Sequence, residues 1–302
     1  MTRVATIPLQ RSMSDAIQRS QEKLAVTQQR LASGKKAVNF ADLGTETVRN
    51  LSAHTLLARQ EAHSTVSKRV GTTLSLYQGH LEGVEDAVGD MRQQILTAIG
   101  TGKAAGLQEA IETAFGQFRN SLNAGEGGTP LFSGAQTEGK PFAPSQLADA
   151  ATLSADDAFQ DDGVQATARV ADGIDVTYGI TASQMGKDLY EAFRTLAQAG
   201  GISETPDATQ LAALQKAVGE IDKGLTSLRS VNAENGRKQA QVETLTSRGE
   251  ERSLLLQGVI ESNEDADLGQ VAIDLATQKA MLQASYSVFS QLSSLSLVNF
   301  LR

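Results

Sequence analysis

The sequence predicts a mainly α fold, an elongated coiled-coil rod of N- and C-terminal long helices with a small β-rich central insert. Three observations predict it. Apolar residues step by three and four over long stretches in both halves of the chain, the signature of a helical seam. Aromatics make up only 4% of the 302 residues and Trp is absent, which suits long helices packed on Leu, Val, Ile and Ala better than a large globular core. Between the periodic stretches lies a segment punctuated by Gly and Pro that carries strand-like alternation.

The first helix is expected near Pro8, where a fixed φ and a missing N–H are tolerated. Ile17, Leu24 and Leu31 recur by sevens, and Ser33-Gly34 is a stop with glycine available for a left-handed cap. Residues 35–44 read as an irregular link. A long helix follows from about Thr45 to Ile99, and its second half has the clearest periodicity in the chain: Val70, Leu74, Tyr77, Leu81, Val84, Val88, Met91 and Ile95 alternate in steps of four and three. Gly100 to Gly106 breaks it, and a shorter helix carries Leu107, Ile111, Ala114, Phe115, Phe118 and Leu122 on one face.

In the insert, Val164, Ala166, Ala168 and Val170 alternate with mostly polar residues. Ala171-Asp172-Gly173 makes a turn, and Ile174, Val176, Tyr178 and Ile180 alternate again, which predicts a β-hairpin. Helix returns near Ser183 with Leu189, Phe193 and Leu196 inward, and stops at Gly200-Gly201. Thr205-Pro206-Asp207 opens another long helix whose seam runs Leu211, Leu214, Val218, Ile221, Leu225 and Leu228. Beyond it Asn232, Asn235 and Gln239 either fix register as buried amides or face water. A last helix is expected from Ser262 as N-cap, with Glu264, Asp265 and Asp267 at the positive end of its dipole. In it Leu268, Leu275, Leu282 and Phe289 recur by sevens, while Ala272, Ala276, Ala280, Ala284, Val288 and Leu292 recur by fours.

Charge sharpens the picture. The net charge is −8 and no basic run stands out, so nucleic acid is a poor partner. Residues 1–39 are mostly basic and residues 253–302 mostly acidic, either by chance or because the two ends pack together. From Ala280 to Leu301 there is no charged residue, yet Ser, Gln and Asn are too frequent for membrane insertion. Such a stretch is expected to be buried against other copies of the chain or a partner, or else within the monomer.

Catalysis has no candidate. Cysteine is absent, which removes disulfides, thiolate metal sites and Cys nucleophiles. Gly102-Lys103 resembles the end of a phosphate loop, but Thr97 stands where glycine is needed and Ala104 where Ser or Thr is. His54, His63 and His80 lack the i, i+4 spacing of a helical metal site, and the acidic run at 264–267 lacks the glycine and final glutamate of a calcium loop. No cofactor and no metal are expected. The first thirty residues lack the apolar core of a cleavable signal peptide; they loosely resemble a mitochondrial presequence, but the helical pattern runs on too far for one.

Several segments carry a resemblance in the right order. Gln29-Arg30-Leu31-Ala32-Ser33-Gly34-Lys35-Lys36 resembles the Leu-x-Ser-Gly-Lys/Leu-Arg/Lys segment of the flagellin superfamily. Leu131-Phe132-Ser133-Gly134, then Thr137, then Pro141-Phe142 resembles an element of its hook-associated junction branch. Glu264-Asp265-Ala266-Asp267-Leu268, Leu282-Gln283-Ala284-Ser285 and Leu295-Ser296-Leu297-Val298-Asn299-Phe300-Leu301 are similar to that branch's carboxyl-terminal signature. Asn39-Phe40-Ala41-Asp42-Leu43-Gly44 departs from the family's Asp-Asp-Pro, keeping only Asp42, and the Asn-rich amino end of filament flagellins is missing.

The resemblance implies a structural subunit of the bacterial flagellum that joins hook to filament. It implies an extracellular location, export unfolded without a cleaved signal, and an export chaperone on the carboxyl-terminal helix. Its implied partners are copies of itself, an adjoining hook-associated protein and flagellin. The expected domains are a terminal helical domain (1–40 with 262–302), a coiled-coil domain (41–125 with 183–261) and an insert (126–182). The expected assembly interface is Ile17, Leu24, Leu31, Leu268, Val271, Leu275, Leu282, Phe289, Leu292 and Phe300. A filament-forming flagellin is the alternative, and an adhesin or glycan binder seated in the insert a third reading.

Overall fold

The computed structural model describes the backbone of residues 6–37 and 39–298, and the side chains of residues 8, 11–37 and 39–291. Its α-helices are α1 (Thr6–Ser33), α2 (Thr47–Thr101), α3 (Leu107–Leu122), α4 (Ala155–Ala158), α5 (Ala182–Gln198), α6 (Ala208–Glu264) and α7 (Leu268–Val298). Two antiparallel hairpins accompany them: β1 (Gly125–Glu126) with β2 (Thr129–Pro130), and β3 (Thr167–Ala171) with β4 (Ile174–Thr177). The chain divides into two compact units, Gln60–Glu251 and Met1–Arg59 with Arg252–Arg302.

In the first unit the seam of α2 is buried along its length, from Val70 and Leu74 through Tyr77, Leu81, Val84 and Val88 to Met91 and Ile95. From α6, Leu214, Ile221, Leu225 and Leu228 are buried and Leu211 and Val218 half-buried. The apolar face of α3 is buried at every expected position. Asn235 settles the open question about the polar stretch of α6: it is 1% exposed, and its Nδ2 donates to the Leu74 carbonyl at 2.9 Å. An amide at this depth matches one register of α6 on α2 and disfavours the others.

The insert shares this core. Phe142 and Phe159 meet Phe115 and Phe118 of α3 and Tyr190 and Phe193 of α5 in one aromatic cluster, with ring centroids 5.2–6.1 Å apart. Asn123, just past α3, clamps the Phe142 backbone: its Oδ1 accepts from Phe142 N and its Nδ2 donates to Phe142 O, both at 3.0 Å. Tyr77 Oη donates to the Leu131 carbonyl and Ser67 Oγ to that of Val170, which ties the insert to α2.

The structure corrects several expectations. The β3–β4 hairpin turns at Asp172-Gly173 as expected, but its first strand starts at Thr167 rather than at Val164. Asp162 Oδ1 accepts from Val164 N at 2.9 Å and turns the chain there, leaving Val164 52% exposed. A bulge between Arg169 and Ala171 shifts the register, and Ile174 faces outward while Val170 and Val176 are buried. The link after α1 contains a 3-10 helix, Phe40–Glu46, and α2 begins at Thr47. The last helix does not begin at Ser262, because α6 runs through it to Glu264 and breaks at Asp265–Asp267. The cap of α7 is Asp267, whose Oδ1 accepts from the backbone N–H groups of Gly269 (2.9 Å) and Gln270 (3.2 Å).

Candidate assembly surface and its polar junction

The second unit pairs α1 with α7. In α1, Ile17 and Thr27 are buried and Leu24 half-buried, while Leu31 is exposed at the helix end. In α7, Val271 is buried and Leu275, Leu282 and Phe289 half-buried, in steps of four and seven; Leu268, in the first turn, is exposed. The pairing thus brings together six of the expected interface residues within one chain and leaves Leu31 and Leu268 out. The side chain of Leu292 and all of Phe300 lie outside the described residues, as do the other side chains beyond Gln291. Gln21 Nε2 donates to Tyr286 Oη across the pair.

Away from α1 the helix α7 exposes apolar residues among its polar ones. Ile273 and Met281 are each 62% exposed, and Val288 and the alanines at 272, 276, 280 and 284 are exposed as well. From Ala272 to Val288 the ladder by fours is therefore exposed and open to a further neighbour. Apolar side chains left exposed beside a paired stripe mark a surface for a further partner.

At the root of the pair the two chain breaks meet. Gly34 ends α1 with a φ of 70°, a conformation that needs glycine. Its carbonyl accepts from Ala266 N at 2.8 Å, and Lys36 N donates to the Glu264 carbonyl at 2.6 Å. Glu264, expected near a helix start, instead sits at the carboxyl end of α6, where the dipole disfavours an anion. Its carboxylate is held all the same: Oε1 lies 2.7 Å from Asn50 Nδ2 and 2.6 Å from His54 Nε2, and Oε2 lies 3.3 Å from Lys35 Nζ. Lys35 also reaches Asp265 Oδ1 at 2.6 Å. Burial alone would push the Glu264 carboxyl up, but the hydrogen bonds from His54, Asn50 and Lys35 together outweigh it and pull it down to about 2. Lys35 is raised, chiefly by its bond to Asp265.

Sequence reasoning missed this junction. Its one signal was the i, i+4 placement of Asn50 and His54, which puts both on one face of α2. The remaining histidines lie elsewhere, His63 at 3.3 Å from Asp172 at the hairpin tip and His80 edge-on to Phe132. Among the described residues no cluster of three His, Asp or Glu side chains could hold a metal, and no helix is long and apolar enough to cross a membrane.

A cleft of about 580 Å³ lies between the start of α5 and the middle of α6. Several of its polar groups are already matched: Asp188 by Ser227 and Lys223, Lys187 by Asp156, and the Ser183 N–H by Asp161.

Comparison with known proteins adds to this geometry. Residues 4–137 match the family described as the bacterial flagellin N-terminal helical region. This stretch is flagellin-like. The flagellin-like region runs from α1 through α2 and α3 into the insert, and so takes in Gly34, Lys35, Asn50 and His54 of the junction. No curated protein matches the chain in sequence. Among solved structures, a Vibrio parahaemolyticus protein assigned as flagellar hook-associated superposes with a TM-score of 0.64 at 18% identity, covering 74% of this chain and all of that one. FlgL of Xanthomonas campestris superposes at 0.56 and 11% identity, covering 70% of this chain and 99% of the other. FlgL of Bacillus cereus superposes at 0.52 and 17% identity, covering 65% and 98%. The chain shares the fold of these three proteins.

Proposed function

We propose that this protein is a structural subunit of the bacterial flagellum at the junction of hook and filament, assembled through its terminal helices. The observation that carries the proposal is the outer face of α7. One apolar stripe is taken by α1, and a second, with Ile273, Met281 and Val288, has no partner among the described residues. A subunit that ends its life in a closed assembly needs such a face; a free monomer would expose it to water at a cost.

On this reading the terminal helices (1–40 with 262–302) pack against neighbouring copies, and the helical part (41–125 with 183–261) and the insert (126–182) are two further domains. The neighbours are further copies, an adjoining hook-associated protein and flagellin. The subunit is exported unfolded to the cell exterior, with a chaperone covering the apolar end of α7 beforehand. Its role is mechanical, without catalysis or cofactor.

Removal of residues 282–302 tests the assembly surface. The shortened chain is expected to stay folded over Gln60–Glu251 and to fail to join hook and filament in motile cells. Wild-type swimming by cells carrying it would refute the proposal. The match of residues 4–137 to flagellin favours one other reading, a filament-forming subunit. Electron microscopy of the purified chain separates the two, since long filaments would mark a flagellin.

A further inference from the structure

We infer that Asn235-Gly236 is a modification site open only in the unfolded chain: there the Asn235 amide deamidates through a cyclic imide, and the product can no longer seat α6 on α2. The site belongs to this chain's own helical core and holds whatever assembly the subunit enters.

Three observations carry it. The first is chemical: Asn235 is followed by glycine, and no other asparagine of the chain is. The reaction needs the backbone nitrogen of the next residue to reach the side-chain carbonyl carbon, and glycine puts no side chain in the way. That nitrogen bonds to Asn235 Cγ, the Cγ–Nδ2 bond breaks, and Nδ2 leaves as ammonia with the proton that the backbone nitrogen gives up. Water then opens the ring at either carbonyl. One opening leaves aspartate; the other leaves isoaspartate, with the main chain running through the former side chain. Water enters, ammonia leaves, and nothing is oxidised or reduced.

The second observation is protection in the fold. Residue 235 lies in the middle of α6, where a helical backbone directs the Gly236 N–H along the axis at the Asn232 carbonyl. The side chain is held as well: Nδ2 donates to the Leu74 carbonyl at 2.9 Å, and the residue is buried. The ring can therefore close only when α6 comes apart. The third observation is what the product meets. An aspartate at this position sets an acceptor, in place of a donor, against the Leu74 carbonyl. Asn235 Oδ1 already lacks a donor among the described residues, and Lys238, three residues on, faces Glu234 at 3.9 Å. A charge buried without donors is strongly disfavoured. Isoaspartate adds a carbon to the main chain and breaks the hydrogen-bond ladder of α6 outright.

Incubating the full chain at mildly alkaline pH, in guanidinium and in native buffer, tests the site, with peptide mapping by mass spectrometry to tell amide from acid. In guanidinium Asn235 is expected to convert ahead of Asn232 and every other asparagine. It is expected to convert at least about 100-fold faster there than in native buffer, because the folded form opens rarely. After the denaturant is diluted away, chains converted at 235 should stay protease-sensitive over Gln60–Glu251, while unconverted chains from the same sample refold. A Cβ at Gly236 meets nothing within 4 Å, so Gly236→Ala should fold like wild type. It should keep its Asn235 amide about tenfold longer in guanidinium and refold fully after the same incubation. Equal conversion in both buffers, or conversion of Asn232 at the same rate, would overturn the proposal. So would converted chains that refold as well as unconverted ones, or Gly236→Ala losing its ability to refold as fast as wild type.

Discussion

Replacing Phe142 by Ala asks whether the insert stands alone or shares the helical core. Phe142 is fully buried and touches four rings: Phe159 at 5.2 Å, Phe118 at 5.4 Å, Tyr190 at 5.6 Å and Phe115 at 6.1 Å. Truncating a buried phenylalanine costs about 3–5 kcal/mol, and the ring pairs it leaves add to that. The Asn123 clamp on its backbone limits how far the site can collapse, which argues for the upper end. For a unit the size of Gln60–Glu251 such a loss lowers the melting temperature by roughly 10 °C. The assay is thermal melting followed by far-UV circular dichroism, with limited proteolysis at the midpoint. Because the cluster joins α3, α5 and the insert, helix signal and protease resistance of residues 126–182 should be lost in one transition. If the helix signal kept its wild-type midpoint while the insert alone became cleavable, the shared core would be refuted and the insert would stand as a separate domain.

Two further predictions concern other parts of the molecule. Glu264 titrates near 2 in the folded chain against 4.5 when free, so it contributes up to about 3 kcal/mol that is fully present above pH 4.5 and is lost as pH falls from there towards 2. Urea unfolding of Glu264→Gln should therefore lie below wild type at pH 7 and converge with it near pH 2; a constant gap across that window would sink the assignment. A Cβ at Gly224 would stand 2.9 Å from Leu189 Cα and 2.5 Å from its Cδ2, so Gly224→Ala should force α5 and α6 apart and cost about 1–3 kcal/mol. Gly71→Ala on α2 meets nothing within 4 Å and should instead stabilise by about 0.5–1 kcal/mol; denaturant midpoints of the two variants moving the same way would contradict the packing described.

The helical framework was legible because it is written in local repeats. Val70 to Ile95 alternate by four and three, and Leu107 to Leu122 share one face; burial of such stripes needs no knowledge of the partner. The hairpin turn at Asp172-Gly173 was legible for the same reason, since turn chemistry acts over a few residues. The Ser262 start misled because a capping signal is local and weak, and α6 continued through it to place Glu264 against Asn50 and His54. The bulge that turned Ile174 outward left no mark in the alternation.

The sequence by itself determined the mainly helical class, the seam of α2 and the apolar, charge-free end, because each depends on residues close together in the chain. Only the tertiary structure decided that Asn235 is buried, that six aromatics join the insert to the helices, and that a carboxylate at position 264 answers donors more than 200 positions away. Those outcomes depend on which long-range neighbours supply hydrogen bonds or exclude water. Spacing along a chain does not encode that until the helices have packed.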